Sequence, residues 1–167
     1  GPSAHDVYYA LSRNFITWQN ADEQLFAKTD MKQYESDVDD RVLFTSADAI
    51  VLDNGDILAF ASFRLNKGYR LNPLNNGIMM RRSADNGKTW SATQIIYRGT
   101  TWEPSALQLS SGEVHVYFTD ANTTTGNSGT SLLRSTDRGA TWTTVGKIIF
   151  NQPVPQDLGF VDRSNPD

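Results

Sequence analysis

Residues 83–90 read Ser-Ala-Asp-Asn-Gly-Lys-Thr-Trp, and residues 135–142 read Ser-Thr-Asp-Arg-Gly-Ala-Thr-Trp. Both fit S-x-D-x-G-x-T-W and start 52 residues apart. A motif recurring at such a distance marks a repeated structural unit, and repetition narrows the possible architectures more than composition does. Upstream of each copy lies a second shared pattern. Ile50-Val51-Leu52-Asp53-Asn54-Gly55-Asp56-Ile57 answers to Leu107-Gln108-Leu109-Ser110-Ser111-Gly112-Glu113-Val114, at an offset of 57. The difference between the two offsets falls in the middle loop, longer in the first copy (Leu65 to Asn76) than in the second (Ala121 to Gly129).

Each unit parses into four short strands. The pattern predicts them over 46–52, 56–64, 77–83 and 93–98, then over 103–109, 113–119, 130–135 and 145–150. Asn54-Gly55 and Ser111-Gly112 sit where tight hairpin turns belong. Val114, Val116 and Phe118 alternate with His115, Tyr117 and Thr119, the period of a strand with two different faces. Four antiparallel strands per unit, with no helical periodicity, predict an all-β chain built of propeller blades.

The start of the chain reads as a degenerate third copy. Val7 to Ser12 is strand-like, and Ser12-Arg13-Asn14-Phe15-Ile16-Thr17-Trp18 follows the motif without its glycine and one residue shorter. The polar stretch Asp30 to Arg41 reads as a linking loop. After Phe150 comes a turn-rich tail ending Asn165-Pro166-Asp167, which reads as the entry to a further inner strand. The expected divisions are 1–44 (degenerate blade and linking loop), 45–100 and 101–150 (two full blades), and 151–167 (tail). That makes about three blades, half of a six-bladed ring. The opening Gly-Pro-Ser follows no initiator Met and no leader pattern, and reads as a cleavage scar or chosen start.

Composition removes several function classes. Of 167 residues 38% are hydrophobic, enough for strands that turn every second side chain to water. The longest apolar runs, such as Val114 to Phe118, fall far short of a membrane span. With no cysteine there is no disulfide framework and no thiolate zinc site, and two histidines make a poor metal cage, so neither metal nor cofactor is expected. A net charge of −4 without a Lys/Arg run gives no footprint for nucleic acid.

In each motif the Asp carboxylate can accept turn N–H and hydroxyl bonds, the Gly supplies a positive φ, and the Trp packs between strands. The motif resembles the Asp-box of the sialidase-like superfamily, over about Thr45 to Phe150. The resemblance implies a β-propeller, six-bladed in the glycoside hydrolase members, with boxes on the periphery. Ser83, Asp85, Gly87, Trp90, Ser135, Asp137, Gly139 and Trp142 are then structural. Function is expected at the opposite face, where inner strands start and second strands end. There Thr45 holds the position of the substrate-binding Arg of an Arg-Ile-Pro motif, and no carboxylate lies between Asp56 and Asp85 to match the family's acid. Arg64 matches an Arg common in sialidases. Trp102-Glu103-Pro104 is more similar to non-sialic exo-glycosidases such as exo-arabinanases, which work with a carboxylate pair.

The candidate catalytic residues are Glu103 and Asp48. Glu103 stands beside Trp102 with its backbone fixed by Pro104, and Asp48 sits within the apolar run Ala47 to Leu52. Trp102, Arg64, Tyr69, Arg70 and Asp120 are candidate substrate-binding residues. His115 reads as a strand-surface histidine, and Asn122-Thr123-Thr124 as a lone glycosylation sequon. The expected function is exo-acting hydrolysis of a glycan by paired carboxylates. The alternatives are a non-catalytic glycan-binding propeller, a scaffold repeat, or a true sialidase whose Tyr lies beyond Asp167. The resemblance implies a secreted or periplasmic protein. Exposed blade edges imply self-association or pairing with the other half of a ring.

Overall fold

The computed structural model describes residues 6–33, 42–65, 72–122 and 127–149. Tyr69, Arg70, Thr123, Thr124 and the tail, with its expected further strand entry, lie outside the described residues. Ten strands form three antiparallel sheets, with no α-helix among the described residues. The first sheet pairs β1 (Val7–Leu11) with β2 (Gln19–Phe26). The second runs β3 (Val42–Val51), β4 (Ile57–Leu65), β5 (Asn76–Ser83) and β6 (Gln94–Arg98), each bonded to the next. The third repeats that order with β7 (Thr101–Gln108), β8 (Val114–Asn122), β9 (Asn127–Ser135) and β10 (Thr143–Ile149). All eight strands expected in the two full units are present, and the inner hairpins close as the glycines require. Gly55 and Gly112 adopt φ of 87° and 89°, and Leu52 and Leu109 pair across their turns with Asp56 and Glu113.

Alternation along β4 builds two cores. Ala59, Ala61 and Phe63 face one side, joining Phe26, Met31, Val42, Phe44 and Met79. Leu58 and Phe60 face the other, joining Leu52, Ile78, Met80, Val114, Val116, Phe118 and Leu133. The second sheet is therefore buried on both faces, which explains why β4 reads apolar almost throughout. Within the stretch read as a polar loop, Met31 is fully buried in the first core, and Asp30 both accepts the Ala27 N–H at 2.8 Å and pairs with Arg81 at 2.8 Å. A short 3-10 turn over Lys28–Gln33 makes this possible by aiming Met31 inward and Asp30 toward β5.

The S-x-D-x-G-x-T-W turns join third strands to fourth and follow one hydrogen-bonding plan. Asp85 accepts the Thr89 N–H at 2.9 Å and hydroxyl at 2.6 Å, and Ser83 accepts the Gly87 N–H at 2.8 Å. Asp137, Thr141, Ser135 and Gly139 repeat it at 2.8, 2.6 and 2.7 Å. Between β1 and β2, Asn14 does the same work with an amide oxygen, accepting from Thr17 N–H at 2.9 Å and Thr17 Oγ1 at 3.2 Å. By their position around this turn, β1 and β2 correspond to the third and fourth strands of a blade.

These bonds lower the carboxylates' affinity for protons. Thr89, through hydroxyl and then amide, with Ser83 behind it, brings Asp85 from 3.8 down to about 2. Thr141 and Ser135 push Asp137 lower still. A carboxyl depressed in the folded state adds stability that is complete above its unfolded value and is lost as pH falls through its folded value. Melting temperature is thus expected to drop between about pH 4 and pH 2. A chain carrying Asp85→Asn and Asp137→Asn keeps the acceptor but not the charge, and should show a flatter profile over that window. Identical profiles would mean that the turns do not contribute to acid sensitivity.

Candidate functional site

The hairpin turns and motif turns lie at one end of the sheets; the starts of β3 and β7 and the ends of β4 and β8 lie at the other. At this second end the inner strands share a distortion. The pairing slips between Thr45 and Ala47 in β3 and between Trp102 and Ser105 in β7, and the extra residue in each has a positive φ, 48° at Ser46 and 52° at Glu103. Non-glycine residues pay about 1–3 kcal/mol for such conformations, and bulges that persist commonly re-aim a side chain. Glu103 is exposed there, with Pro104 buried behind it. A proline fits because β7 is the edge strand of its sheet.

Arg64 and Trp102 meet across the two blades, the guanidinium carbon 3.3 Å from the ring centroid. Arg64 shares the face of β4 that carries Phe60, and Trp102 immediately precedes the Glu103 bulge. Asp120 lies opposite Thr101 in the ladder, on the face of β8 that carries Phe118. It accepts the Ser131 hydroxyl at 3.3 Å and a hydrogen bond from Tyr97. Burial first, then the charge of Asp120 and that bond, push the Tyr97 phenol up to about 12, so it serves as a donor and not as a phenolate. The hydroxyls of Thr45, Ser62 and Thr101 are buried without a protein partner among the described residues.

Asp48, expected as a catalytic carboxylate, is hydrogen-bonded across the seam. Its Oδ2 accepts the Ala106 N–H of the neighbouring blade at 2.7 Å, and its Oδ1 accepts the Ala49 N–H at 2.9 Å. Edge strand β7 presents backbone donors toward β3, and the Asp48 carboxylate satisfies one of them. It also meets β7 at Ala106, three residues below Glu103 and roughly 10 Å along the strand. Asp48 therefore links the two blades through its carboxylate.

The sequence pattern did not reveal Tyr97, nor the stitching at the other end of the seam. There Arg138 grips Asp53 with two nitrogens, at 2.9 and 3.1 Å, and Asp53 also accepts from Gln108. Arg82 bonds Asp56 at 2.7 Å and donates to the Arg138 carbonyl. His115, on the outward face of β8, lies between Glu113 at 3.2 Å and Tyr117 at 3.3 Å. Among the described residues no three His, Asp or Glu side chains group as a metal site would need. No helix there is long and apolar enough to cross a membrane, which leaves β-barrels unaddressed.

Four-stranded antiparallel sheets packed face to face through a repeated seam define an all-β fold of the sialidase-like propeller type. Hadza microbial sialidase Hz136 superposes with a TM-score of 0.65 at 16% identity, covering 85% of this chain and 31% of that one. A protein of unknown function from Dyadobacter fermentans DSM 18053 gives 0.53 at 17% identity, over 83% and 43%. A PL25 ulvan lyase bound to -[GlcA(1-4)Rha3S]- gives 0.51 at 15% identity, over 87% and 33%. At these identities the likeness is one of fold alone. No family model matches the sequence.

A separate, short match concerns a different class. Over 25 residues the chain is 80% identical to the DNA-directed RNA polymerase subunit beta' of Caldanaerobacter subterraneus subsp. tengcongensis, covering 15% of this chain and 2% of that subunit. The same subunit of Thermoanaerobacter sp. strain X514 matches at 76% over 25 residues, again 2% of its length. Such a stretch is shorter than half of one repeat unit and carries no conclusion about the whole chain.

Proposed function

We propose that this chain forms one wall of a glycan site in a carbohydrate-active propeller, and that the chemistry there is exo-acting hydrolysis of a non-sialic glycoside. The observation that carries the reading is the Arg64–Trp102 stack, supplied by two different blades, with Glu103 exposed beside it on a strained bulge. A guanidinium laid on an indole makes a flat platform, aromatic and polar together, of the kind on which sugar rings pack. Glu103 gives a proton to the glycosidic oxygen as the leaving group departs as its alcohol, and water supplies the hydroxyl to the sugar and the proton that restores the acid. Asp120 replaces Asp48 as the second carboxylate, since it is at the same end of its strand and is held by Tyr97 and Ser131. The mechanism requires no cofactor. The names of two fold neighbours, a sialidase and an ulvan lyase, support a carbohydrate substrate. The Trp102-Glu103-Pro104 sequence favours the exo-arabinanase type over sialic acid cleavage, and the reading carries with it a secreted or periplasmic location. The partner is a glycan and not a nucleic acid, consistent with the net charge of −4.

The commitment of Asp48 to the seam favours a second reading, a glycan-binding propeller without turnover. A glycan array followed by product analysis on every bound sugar separates the two, since release of a terminal sugar occurs only in the enzyme. Trp102→Ala should weaken binding by about tenfold or more in either case. Undiminished binding would move the site away from this mouth.

A further inference from the structure

Both seams leave a groove at the motif-turn end, where the turn of one sheet leans over the sheet before it. The groove between the second and third sheets has a volume of about 420 Å³, with Arg82 and Ser91 on one side and Asp137, Gly139 and Ala140 on the other. The groove between the first and second sheets measures about 830 Å³, a size that suits a ligand cleft. Leu11, Arg13 and Gln19 line it on one side, and Asn86 and Lys88 on the other.

The repeat explains the difference in size. Arg82 immediately precedes its motif turn, and Leu11 holds the same place before Ser12. Arg82 Nη2 lies 3.5 Å from where a Cβ on Gly139 would stand, and the guanidinium donates to the carbonyl of left-handed Arg138. Leu11 lies 3.0 Å from the matching point on Gly87, but it has no donor to offer left-handed Asn86. The wider groove keeps open the space that a guanidinium fills in the narrower one.

The charges differ as well. Arg13 and Lys88 stand at the repeat positions that Ala84 and Ala140 hold around the narrower groove. Both cations are exposed, and neither makes an ion pair among the described residues, whereas Arg81, Arg82 and Arg138 are each matched by an aspartate. No carboxylate among the described residues lines the wider groove. The carboxamides of Gln19 and Asn86 at its edge make no hydrogen bond to the described residues either.

We propose that this groove is a second glycan site, at the end opposite the Arg64–Trp102 mouth, and that it takes the oxyanion of an acidic sugar, a sulfate ester or a uronate. Arg13 and Lys88 supply charge-assisted donors from two blades to one anionic group. The carboxamides, donors and acceptors together, suit the ring hydroxyls beside it. Two cations match a glycan with a single anionic group per sugar unit. A nucleic acid needs a longer basic run and meets a net charge of −4. The site requires no turnover, and it stands whether the mouth hydrolyses or only binds.

Calorimetry on the whole chain tests this with a sulfated galactan oligosaccharide, an oligogalacturonate and a neutral galactan oligosaccharide. At least one acidic probe should bind, and whichever does names the oxyanion. Its affinity should fall by about three- to tenfold in Arg13→Ser and likewise in Lys88→Ser, and should weaken as salt is raised. Trp102→Ala alters the mouth and should leave this affinity unchanged. Leu11→Arg copies the narrower groove, so it should close the space and abolish binding although it adds a positive charge. A retained thermal transition establishes that each variant is folded. No binding of either acidic probe at about 1 mM, equal affinity for the neutral one, indifference to both serines, tighter binding in Leu11→Arg, or loss in Trp102→Ala would each overturn the proposal. Binding to phosphatidylglycerol vesicles in place of both acidic glycans would overturn it too.

Discussion

On the proposed glycosidase reading, Glu103→Gln in the complete propeller is expected to lower turnover by about 10²–10⁴ while glycan binding and melting temperature stay near those of the unsubstituted protein, the range found when a general acid–base group is lost. The substitution is chosen for its backbone consequences. Residue 103 sits at φ 52° in the β7 bulge, and Glu and Gln bear that conformation at similar cost, so the bulge and the Arg64–Trp102 contact survive. What is removed is the exchangeable proton, and the amide cannot replace it. The measurement is kcat and KM on the glycan identified by array and product analysis. A fall in kcat with KM little changed assigns the group to the transition state. Asp48→Asn should act differently, because its carboxylate accepts the Ala106 and Ala49 N–H groups: it should lower melting temperature before it lowers kcat. Unchanged kcat in Glu103→Gln would leave the binding-only propeller as the better account.

What could be read from the chain follows from how local each feature is. The hairpins at Gly55 and Gly112 and the turns at Ser83–Trp90 and Ser135–Trp142 hold their determinants within eight residues, and both the repeat and the strand order followed from them. The seams join residues far apart in sequence. Asp53 and Arg138 are 85 positions apart, and Asp48 and Ala106 are 58 apart. No spacing rule links such pairs, because the contact depends on how one blade is rotated against the next. For the same reason the sequence gives no sign that Asp48 reaches across to the next blade. Its actual partner is a backbone N–H, and backbone leaves no mark in a sequence. Met31 was hidden for a related reason. The polar residues around it signalled a loop, but a single turn of 3-10 helix suffices to bury one side chain of such a segment. Arg64 and Trp102 were each legible by register, but their stacking was not.

Phe60→Ala is expected to destabilise the chain by about 3–5 kcal/mol, the cost of emptying a large aromatic site in a closed core. For a chain of this length each kcal/mol moves the melting temperature by about 2–4 °C. Phe60 is fully buried and edge-on to Trp142, so the truncation removes both its own packing and the wall on which the next blade's turn rests. The informative comparison is Tyr117→Ala. Position 117 repeats position 60 at the 57-residue offset but faces outward, 38% exposed. This second truncation should cost under about 1 kcal/mol, since a half-exposed ring gives up little burial. The same repeat position thus carries a large effect in the internal seam and a small one at the open face. If the two variants melted alike in dilute solution, the stability of the fold would reside within each sheet, and the seams would be contacts of little energetic weight.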